Sequence, residues 1–442
     1  MMIQGGSCPF AIFAKIAVML LVPFIRNNKE LVKERLTVKH FTDLQLVDEI
    51  IALDDRRKEL KTDFDRNQAQ VNAASKQIGE LIRNGNLNEV EAIKGKVSVW
   101  KERIQACETE LQKVSANLQD LLIRLPNLPH SSVPHGKKPE DNVVVREGGV
   151  RPELPQAAVP HWELAQKLDL IDFELGNKLT GSGFPVFKKR GAKLERALIS
   201  YFLDFNTSEG YQEFLPPLMV NEATAYGTGQ LPDKEDQMYQ VQEDKFYLIP
   251  TAEVPLTNIY RDEMIAESDL PVKMTGYTPC FRREAGSYGK DVRGLNRVHQ
   301  FDKVEIVQLV RPEHSYEVLE NMVLHVEHLI QSLELPYRIL RLCGGDMSFT
   351  SALTYDFEIY SAAQQRWLEV SSVSNFESFQ TNRMKIRYKD SQGKIHLLHS
   401  LNGSSLALPR ILACLLENFQ DEHGVRLPKV LIPYAGMSRL DF

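Results

Sequence analysis

The residues best equipped for chemistry lie in the segment 280–307, CFRREAGSYGKDVRGLNRVHQFDKVEIV. Here Arg282 and Arg283 abut Glu284, and a polar stretch with Gly286, Gly289 and Gly294 leads back to Arg297, Phe301 and Glu305. The pattern reads as two antiparallel strands joined by a long loop. FDKVEIVQLV alternates polar and apolar residues, as expected of a strand with one face in a core. Arginine carries a permanent charge and a planar fork that matches phosphate oxygens, and a phenylalanine ring can hold a flat base. Fixed guanidinium groups, one carboxylate and one ring therefore suit a nucleoside triphosphate. A lone Arg-x-Glu is an ordinary solvated hairpin by roughly nine to one, so the weight rests on the block as a whole.

Other residues extend this chemistry. Glu305 stands between Val304 and Ile306, which turns its carboxylate toward the polar face, where a small hydroxylated amino acid would need an acceptor. Glu369 and Ser372, at the end of an apolar strand, offer hard oxygens suited to Mg²⁺, which takes few protein ligands and otherwise keeps phosphates and water. On spacing alone they are an exposed acid and an ordinary serine. Pro409 suits the first turn of a helix, which places Arg410 at a helix N-terminus, against the macrodipole. A bound triphosphate or adenine would relieve that conflict. Thr251, Ala252 and Glu253 follow the apolar run FYLI and, on the residues alone, read as a loop.

The central block resembles motif 2 of class II aminoacyl-tRNA synthetases, and FRREAGSYGKDVRGLNRVHQFDKVE is similar to the version found in the seryl-tRNA synthetase family. GYQEFLPPLMV resembles motif 1, EVSSVSNF the family's ATP and metal segment, and HSLNGSSLALPRILACLLENFQ motif 3. The resemblance implies that Thr251, Ala252, Glu253, Glu305 and Ser404 contact L-serine. ATP is implied for Arg282, Arg283, Glu284, Val298, Phe301, Glu369, Val370, Ser371, Ser372 and Arg410, with Arg282 and Arg410 catalytic and Glu369 and Ser372 holding Mg²⁺. It further implies formation of seryl-adenylate, transfer to tRNA(Ser) and also tRNA(Sec), a homodimer built on motif 1, and a cytoplasmic location. Catalysis would rest on positioning and charge stabilisation, without an enzymatic nucleophile.

The elements that must hold these residues are legible in outline. At 442 residues, 43% hydrophobic and 25% charged, the chain has a normal soluble composition and a length that suits two domains, one of them large. A net charge of -6 gives no global signature of nucleic-acid binding, so RNA contacts must be local. Five scattered cysteines suggest neither a disulfide framework nor a compact zinc site. From Val90 through Ile93, Val97, Trp100, Ile104, Cys107 and Leu111 to Leu125, apolar residues recur at three- and four-residue steps, a heptad seam. A looser seam runs from Leu46 to Leu81, with Arg57 and Asn67 at seam positions, and the turn formers Asn84, Gly85 and Asn86 separate the two.

Two such helices fold back into an antiparallel coiled-coil arm, about 43–124. Near its tip Lys76, Arg83, Lys94, Lys96, Lys101 and Arg103 outnumber the acids, which favours a phosphate backbone. The resemblance makes this arm the grip on tRNA. The expected fold is thus α+β, a coiled-coil arm followed by a class II catalytic domain with an antiparallel sheet flanked by helices. Its parts are 1–18, an upstream extension without function; 19–125, the tRNA-binding domain; 126–142, a proline-rich linker; and 143–442, the catalytic domain. From Met19, MLLVPFIRNNKELVKERL resembles the start of bacterial members of the seryl-tRNA synthetase family, which implies a strand and then a short helix from about Asn27. Two other readings are a ligase that loads a carrier protein and a catalytically dead coiled-coil scaffold. The complete arm argues against the first, and three motifs with their charged residues argue against the second.

Overall fold

The computed structural model describes residues 21–232, 236–284 and 293–442; the stretch 1–18 and the loop glycines Gly286 and Gly289 lie outside the described residues. The chain divides into two compact units, one ending at Leu128 and the other running from Pro129 to Phe442.

The first unit is helical. After α1 (Val22–Asn27) and α2 (Lys29–Val38) come α3 (Gln45–Arg83) and α4 (Leu87–Arg124). The strand expected after Met19 is not formed, because Pro23 suits a first helical turn and α1 buries Phe24 and Ile25 in the unit's core. Between α3 and α4 the chain reverses through Asn84–Asn86, with Gly85 at φ +76°, a conformation that favours glycine. At about 1.5 Å per residue each long helix reaches about 60 Å. Leu46, Ile50, Leu60, Val71 and Ala74 of α3 and Val90, Val114 and Leu118 of α4 are buried. Most other seam residues stay half-buried, since a two-helix hairpin has no third layer to cover them.

The polar seam positions are satisfied locally. Asn67 Nδ2 donates to the Asp63 carbonyl at 2.7 Å. Arg57 is held by Asp54, whose buried carboxylate also takes Arg26 of α1 at 3.0 Å and Lys58 at 2.7 Å.

In the second unit β1 (Val143–Gly148) and α5 (His161–Lys167) precede α6 (Arg190–Ser208), β2 (Gln212–Glu213) and the short α7 (Glu253–Asn258). Then follow β3 (Val272–Phe281), β4 (Gln300–Val310), α8 (Ser315–Ser332), β5 (Tyr337–Arg341), β6 (Leu353–Ser361), β7 (Arg366–Glu377), β8 (His399–Ala407) and α9 (Leu408–Asn418). The main sheet has the order β1-β5-β6-β7-β8-β4-β3-β2. Every neighbouring pair is antiparallel except β2 with β3. Helices α6, α8 and α9 pack against it. The long central strands are bounded by helices whose apolar stripes need a partner, and the sheet supplies it.

β4 departs from the expected one-sided strand. Every residue from Lys303 to Val310 is buried, so its polar members Lys303, Glu305 and Gln308 lie inside the protein. Lys303 and Glu305, two residues apart, share one face and mark a polar pocket within the sheet's cover, while Gln308 lies on the opposite face and donates to the Tyr211 hydroxyl at 2.7 Å. Among the described residues no helix is long and apolar enough to cross a membrane.

Asp54 yields a stability prediction. Burial pushes its carboxyl up, but hydrogen bonds from Lys58, Arg57 and Arg26 outweigh this and bring it down to about 2. A depressed folded value adds stability that is present above the ordinary carboxylate range and is lost as pH falls toward 2. Asp54→Ala should destabilise the helical unit by about 1–3 kcal/mol at neutral pH, less than for a wholly buried pair because the freed cations can turn to water. Urea denaturation followed by circular dichroism at pH 7 and pH 2.5 measures it, with the difference shrinking at the lower pH.

Candidate active site

Glu305 sits at the centre of the sheet, opposite Gly276 on β3 and Ser404 on β8. A bulge in the β4–β8 ladder falls between Lys303 and Glu305. Glu305 Oε2 accepts from Lys303 Nζ at 2.6 Å, from Thr251 Oγ1 at 3.4 Å and from Ser404 Oγ at 3.5 Å. Lys303 Nζ also donates to Thr251 Oγ1 at 2.8 Å, so one ammonium orders both acceptors.

Glu253, the first residue of α7, accepts from Gln380 Nε2 at 2.7 Å, and Gln380 is itself held by Ser400 Oγ. Burial, and then the charge of Glu305, pushes the Glu253 carboxyl up to about 7. The structure thus brings Thr251, Glu253, Glu305 and Ser404 into one buried pocket, where two carboxylates face one ammonium. Such a pocket has acceptors for a hydroxyl and residual negative charge for a substrate ammonium. Ala252 lies in the apolar core beside it.

Where β3 ends, Arg282 donates from Nε to the Pro250 carbonyl at 3.3 Å, and its backbone N–H to the His299 carbonyl at 2.9 Å. Its guanidinium lies 5.3 Å from the centre of the Phe301 ring, so ring and anchor together fix its plane. Arg283 pairs with Asp236 at 3.3 Å, and Glu284, at φ +48°, pairs with Arg297. Val298 is buried. Among the described residues no hydrogen bond or ion pair joins Arg282, Arg283, Glu284 or Val298 to the side chains of the acid pocket; Arg282 reaches the Pro250 carbonyl beside Thr251, and Phe301 stands four residues before Glu305 on β4.

The third group lies on β7 and α9. In a regular strand Glu369 and Ser372, three residues apart, would face opposite ways. A bulge at Val370, where Phe357 pairs with Ser371 but Glu358 with Glu369, returns them to one side. Val370 and Ser371 are buried, and Ser371 Oγ donates to the Ser404 carbonyl at 2.6 Å, tying β7 to β8. Arg410 Nη1 donates to the Glu369 carbonyl at 2.6 Å and stands 3.6 Å from its carboxylate, while Nε donates to the Asn296 carbonyl at 3.0 Å. The unfavourable helix-terminal charge is thus met by Glu369 and two backbone oxygens. Asn402, Gly403 and Ser404 lie within β8.

Sequence reasoning passed over Lys303, Gln380 and Asp356. Lys303 was findable, two residues before Glu305 and so on the same side of the strand. Asp356 becomes visible only through its pairing with Ser372 across β6 and β7.

Residues 237–419 match the tRNA synthetase class II core domain (G, H, P, S and T), and residues 19–129 the seryl-tRNA synthetase N-terminal domain. The antiparallel sheet with its bulged strands and terminal arginine helix is therefore a class II tRNA synthetase core. The serine–tRNA ligase of Salinibacter ruber is 49% identical over 424 residues, covering 96% of this chain and 99% of its own length. That of Methylacidiphilum infernorum is 48% identical over 422 residues, covering 94% and 97%. The crystal structure of seryl-tRNA synthetase from Pyrococcus horikoshii complexed with ATP matches with a TM-score of 0.89 at 35% identity, over 96% of this chain and 99% of that one. The chain belongs to the serine–tRNA ligase family of aminoacyl-tRNA ligases.

The raised carboxyl of Glu253 gives a pH-dependent expectation. A folded value of about 7 against an ordinary 4.5 means the fold favours the protonated acid, so stability is full below 4.5 and falls as pH rises toward 7. Glu253→Gln should therefore stabilise the protein at pH 8, by on the order of 2 kcal/mol, and change little at pH 4.5. Denaturant titrations at both pH values decide it; equal effects would show that ionisation of Glu253 is not the strained term.

Proposed function

We propose that this chain activates L-serine with ATP in the presence of Mg²⁺ and loads the seryl group onto tRNA(Ser), and also tRNA(Sec), working as a cytoplasmic homodimer. The observation that carries the reading is the buried acceptor pocket around Glu305, set four residues along β4 from the Arg282–Phe301 pair. One strand thereby offers a site for a small hydroxylated ammonium compound next to a site for a nucleotide.

In the proposed reaction the serine carboxylate attacks the α-phosphorus in line. A new P–O bond forms, the bond to the β-phosphate oxygen breaks, and pyrophosphate leaves with its electron pair. A ribose hydroxyl of the terminal tRNA adenosine then attacks the carbonyl carbon and AMP departs. Glu305, Ser404 and Thr251 hold the hydroxyl and ammonium of serine, with Glu253 adding charge and Ala252 shaping the wall. Arg282 stabilises charge on the α-phosphate, Phe301 and Arg410 sandwich the base, and Arg283, Glu284, Val298, Val370 and Ser371 frame the nucleotide. Catalysis rests on positioning and on charge stabilisation by Arg282 and Arg410, to which a bound Mg²⁺ would add, with no enzymatic nucleophile.

The donors on β6 and β7 fit a divalent cation. Among the described residues no donor reaches Asp356 Oδ1, and burial followed by the charge of Glu369 pushes this carboxyl well above the ordinary range. Glu369 and Ser372 would hold Mg²⁺, which would neutralise the phosphates. For the dimer, Leu215 at 84% exposure, Met219 at 51% and Met264 at 47% leave apolar surface around motif 1 that a second copy would cover.

The deciding experiment separates activation from transfer. Serine-dependent ATP–pyrophosphate exchange tests activation, and charging of tRNA tests the full reaction. Deleting residues 45–120 and bridging the gap with a short Gly/Ser linker should spare exchange and sharply reduce charging. Loss of both activities in a folded variant, or charging left intact, would refute the division of labour.

Amino-acid choice gives a second test. A site built around hydrogen bonds to a hydroxyl rejects the analogue lacking it by as much as about 10⁴ to 10⁵. Glu305→Ala should therefore impair exchange with serine far more than exchange with alanine, collapsing the ratio between them. An unchanged ratio would remove Glu305 from reading the hydroxyl.

A further inference from the structure

Outside the groups just described, a buried polar network in the catalytic unit is centred on His161 of α5. The ring is fully buried. Its Nδ1 lies 2.7 Å from Glu417 Oε1, which also accepts the His161 backbone N–H at 3.0 Å. Nε2 lies 2.9 Å from the Leu295 backbone nitrogen. A backbone N–H can only donate, so Nε2 presents its lone pair, and Nδ1 carries the ring proton and donates it to Glu417. Glu417 Oε2 accepts from Ser361 Oγ, Oε1 accepts also from Gln364 Nε2 at 2.9 Å, and Asn296 Nδ2 donates to Gln364 Oε1 at 2.9 Å.

The bonds close on themselves. Glu417 and Arg410 both belong to α9, seven residues or two turns apart. From Glu417 the path runs through His161 to Leu295, and the carbonyl of the next residue, Asn296, accepts Arg410 Nε at 3.0 Å. Gly294, at φ +67°, is pressed so close that a Cβ there would stand 2.3 Å from His161 Nε2. The neighbouring Trp162 carries the Arg293 guanidinium 4.8 Å from its ring centre.

A buried histidine is ordinarily only a packed core residue. Here, however, its acceptor bond goes to the irregular segment that returns to β4, and that segment supplies a carbonyl to Arg410. We propose that His161 is a positioning residue for the reaction: it pins Leu295 and Asn296 to α9 and thereby sets the plane of the Arg410 guanidinium. This rests on the reading of Arg410 as a nucleotide contact.

Two amides separate the two halves of the imidazole. In His161→Gln the side-chain oxygen can replace Nε2 as the acceptor for Leu295, whereas in His161→Asn the amide can replace only the Nδ1 donor to Glu417. His161→Gln should keep kcat/KM for ATP in pyrophosphate exchange within about threefold, and His161→Asn should lower it about tenfold or more, the size of one buried hydrogen bond, with KM for serine unchanged in both. Amide hydrogen exchange should show Leu295 protected in the unaltered protein and in His161→Gln and unprotected in His161→Asn. If His161→Asn melts early, Gly294→Ala displaces the same segment from the opposite side without touching Glu417 and should give the same ATP-selective loss.

Equal behaviour of the two amide variants, or a loss shared by ATP and serine, overturns the proposal. Absence of serine-dependent exchange in the unaltered protein overturns the functional reading and the catalytic half of this proposal with it. In that case persistent Leu295 protection in His161→Asn overturns the anchoring half as well.

Discussion

A carboxylate in the middle of a sheet is the constraint on which the catalytic unit depends. Glu305 is 1% exposed, and an ionised acid so placed costs several kcal/mol unless it is paired and hydrogen-bonded. Lys303 supplies the charge, Thr251 and Ser404 supply hydroxyls, and each arrives from a different direction. The β4–β8 bulge beside Glu305, the end of the segment before α7 and the position of Ser404 on β8 are all tied to that carboxylate. A hydrophobic residue at 305 would relieve the burden and remove the carboxylate acceptor from the pocket, leaving the Thr251 and Ser404 hydroxyls without it.

The same economy of charge governs the side proposed to bind the nucleotide. Arg282 is oriented by a carbonyl and a ring, and Arg410 by two carbonyls and a carboxylate, so neither guanidinium is left to find its own orientation. Preorganised cations of this kind need little rearrangement when phosphate charge develops. The acids opposite them are arranged less comfortably. Asp356 and Glu369 repel each other across β6 and β7, and that tension is what a cation would remove. Glu253 and Glu305 repeat the pattern in the amino-acid pocket, where a substrate ammonium would play the same part. Strain of this sort lowers the stability of the free protein in return for affinity.

The helical unit solves a different problem. A hairpin of two long helices buries only one stripe of each, so its stability leans on a continuous seam and on charged positions that find local partners. Asp54 gathers three cations where the seam is polar, which keeps Arg57 from opening the hairpin.

Much of this was legible in the sequence, because periodicity and turn chemistry are local. The two seams and the Asn84–Asn86 turn define the arm, and Pro409 marks the first turn of α9. The arginines and Phe301 of motif 2 suit a nucleoside triphosphate before any fold is known, and an amino-acid site is implied there only by the resemblance. What lay beyond reach was whatever depends on pairing between distant strands. Alternation along β4 could not say that both faces are covered, nor spacing along β7 that a bulge brings Glu369 and Ser372 to one side. The resemblance implied a strand before Asn27, and the packing of Phe24 and Ile25 makes Val22–Asn27 helical instead. His161 gives no signal at all in its own neighbourhood, since Glu417 and Leu295 are 256 and 134 residues away. Local residue order determined which groups were available, and only the tertiary structure decided which of them share a buried space, because burial and pairing are properties of contacts between segments far apart in the chain.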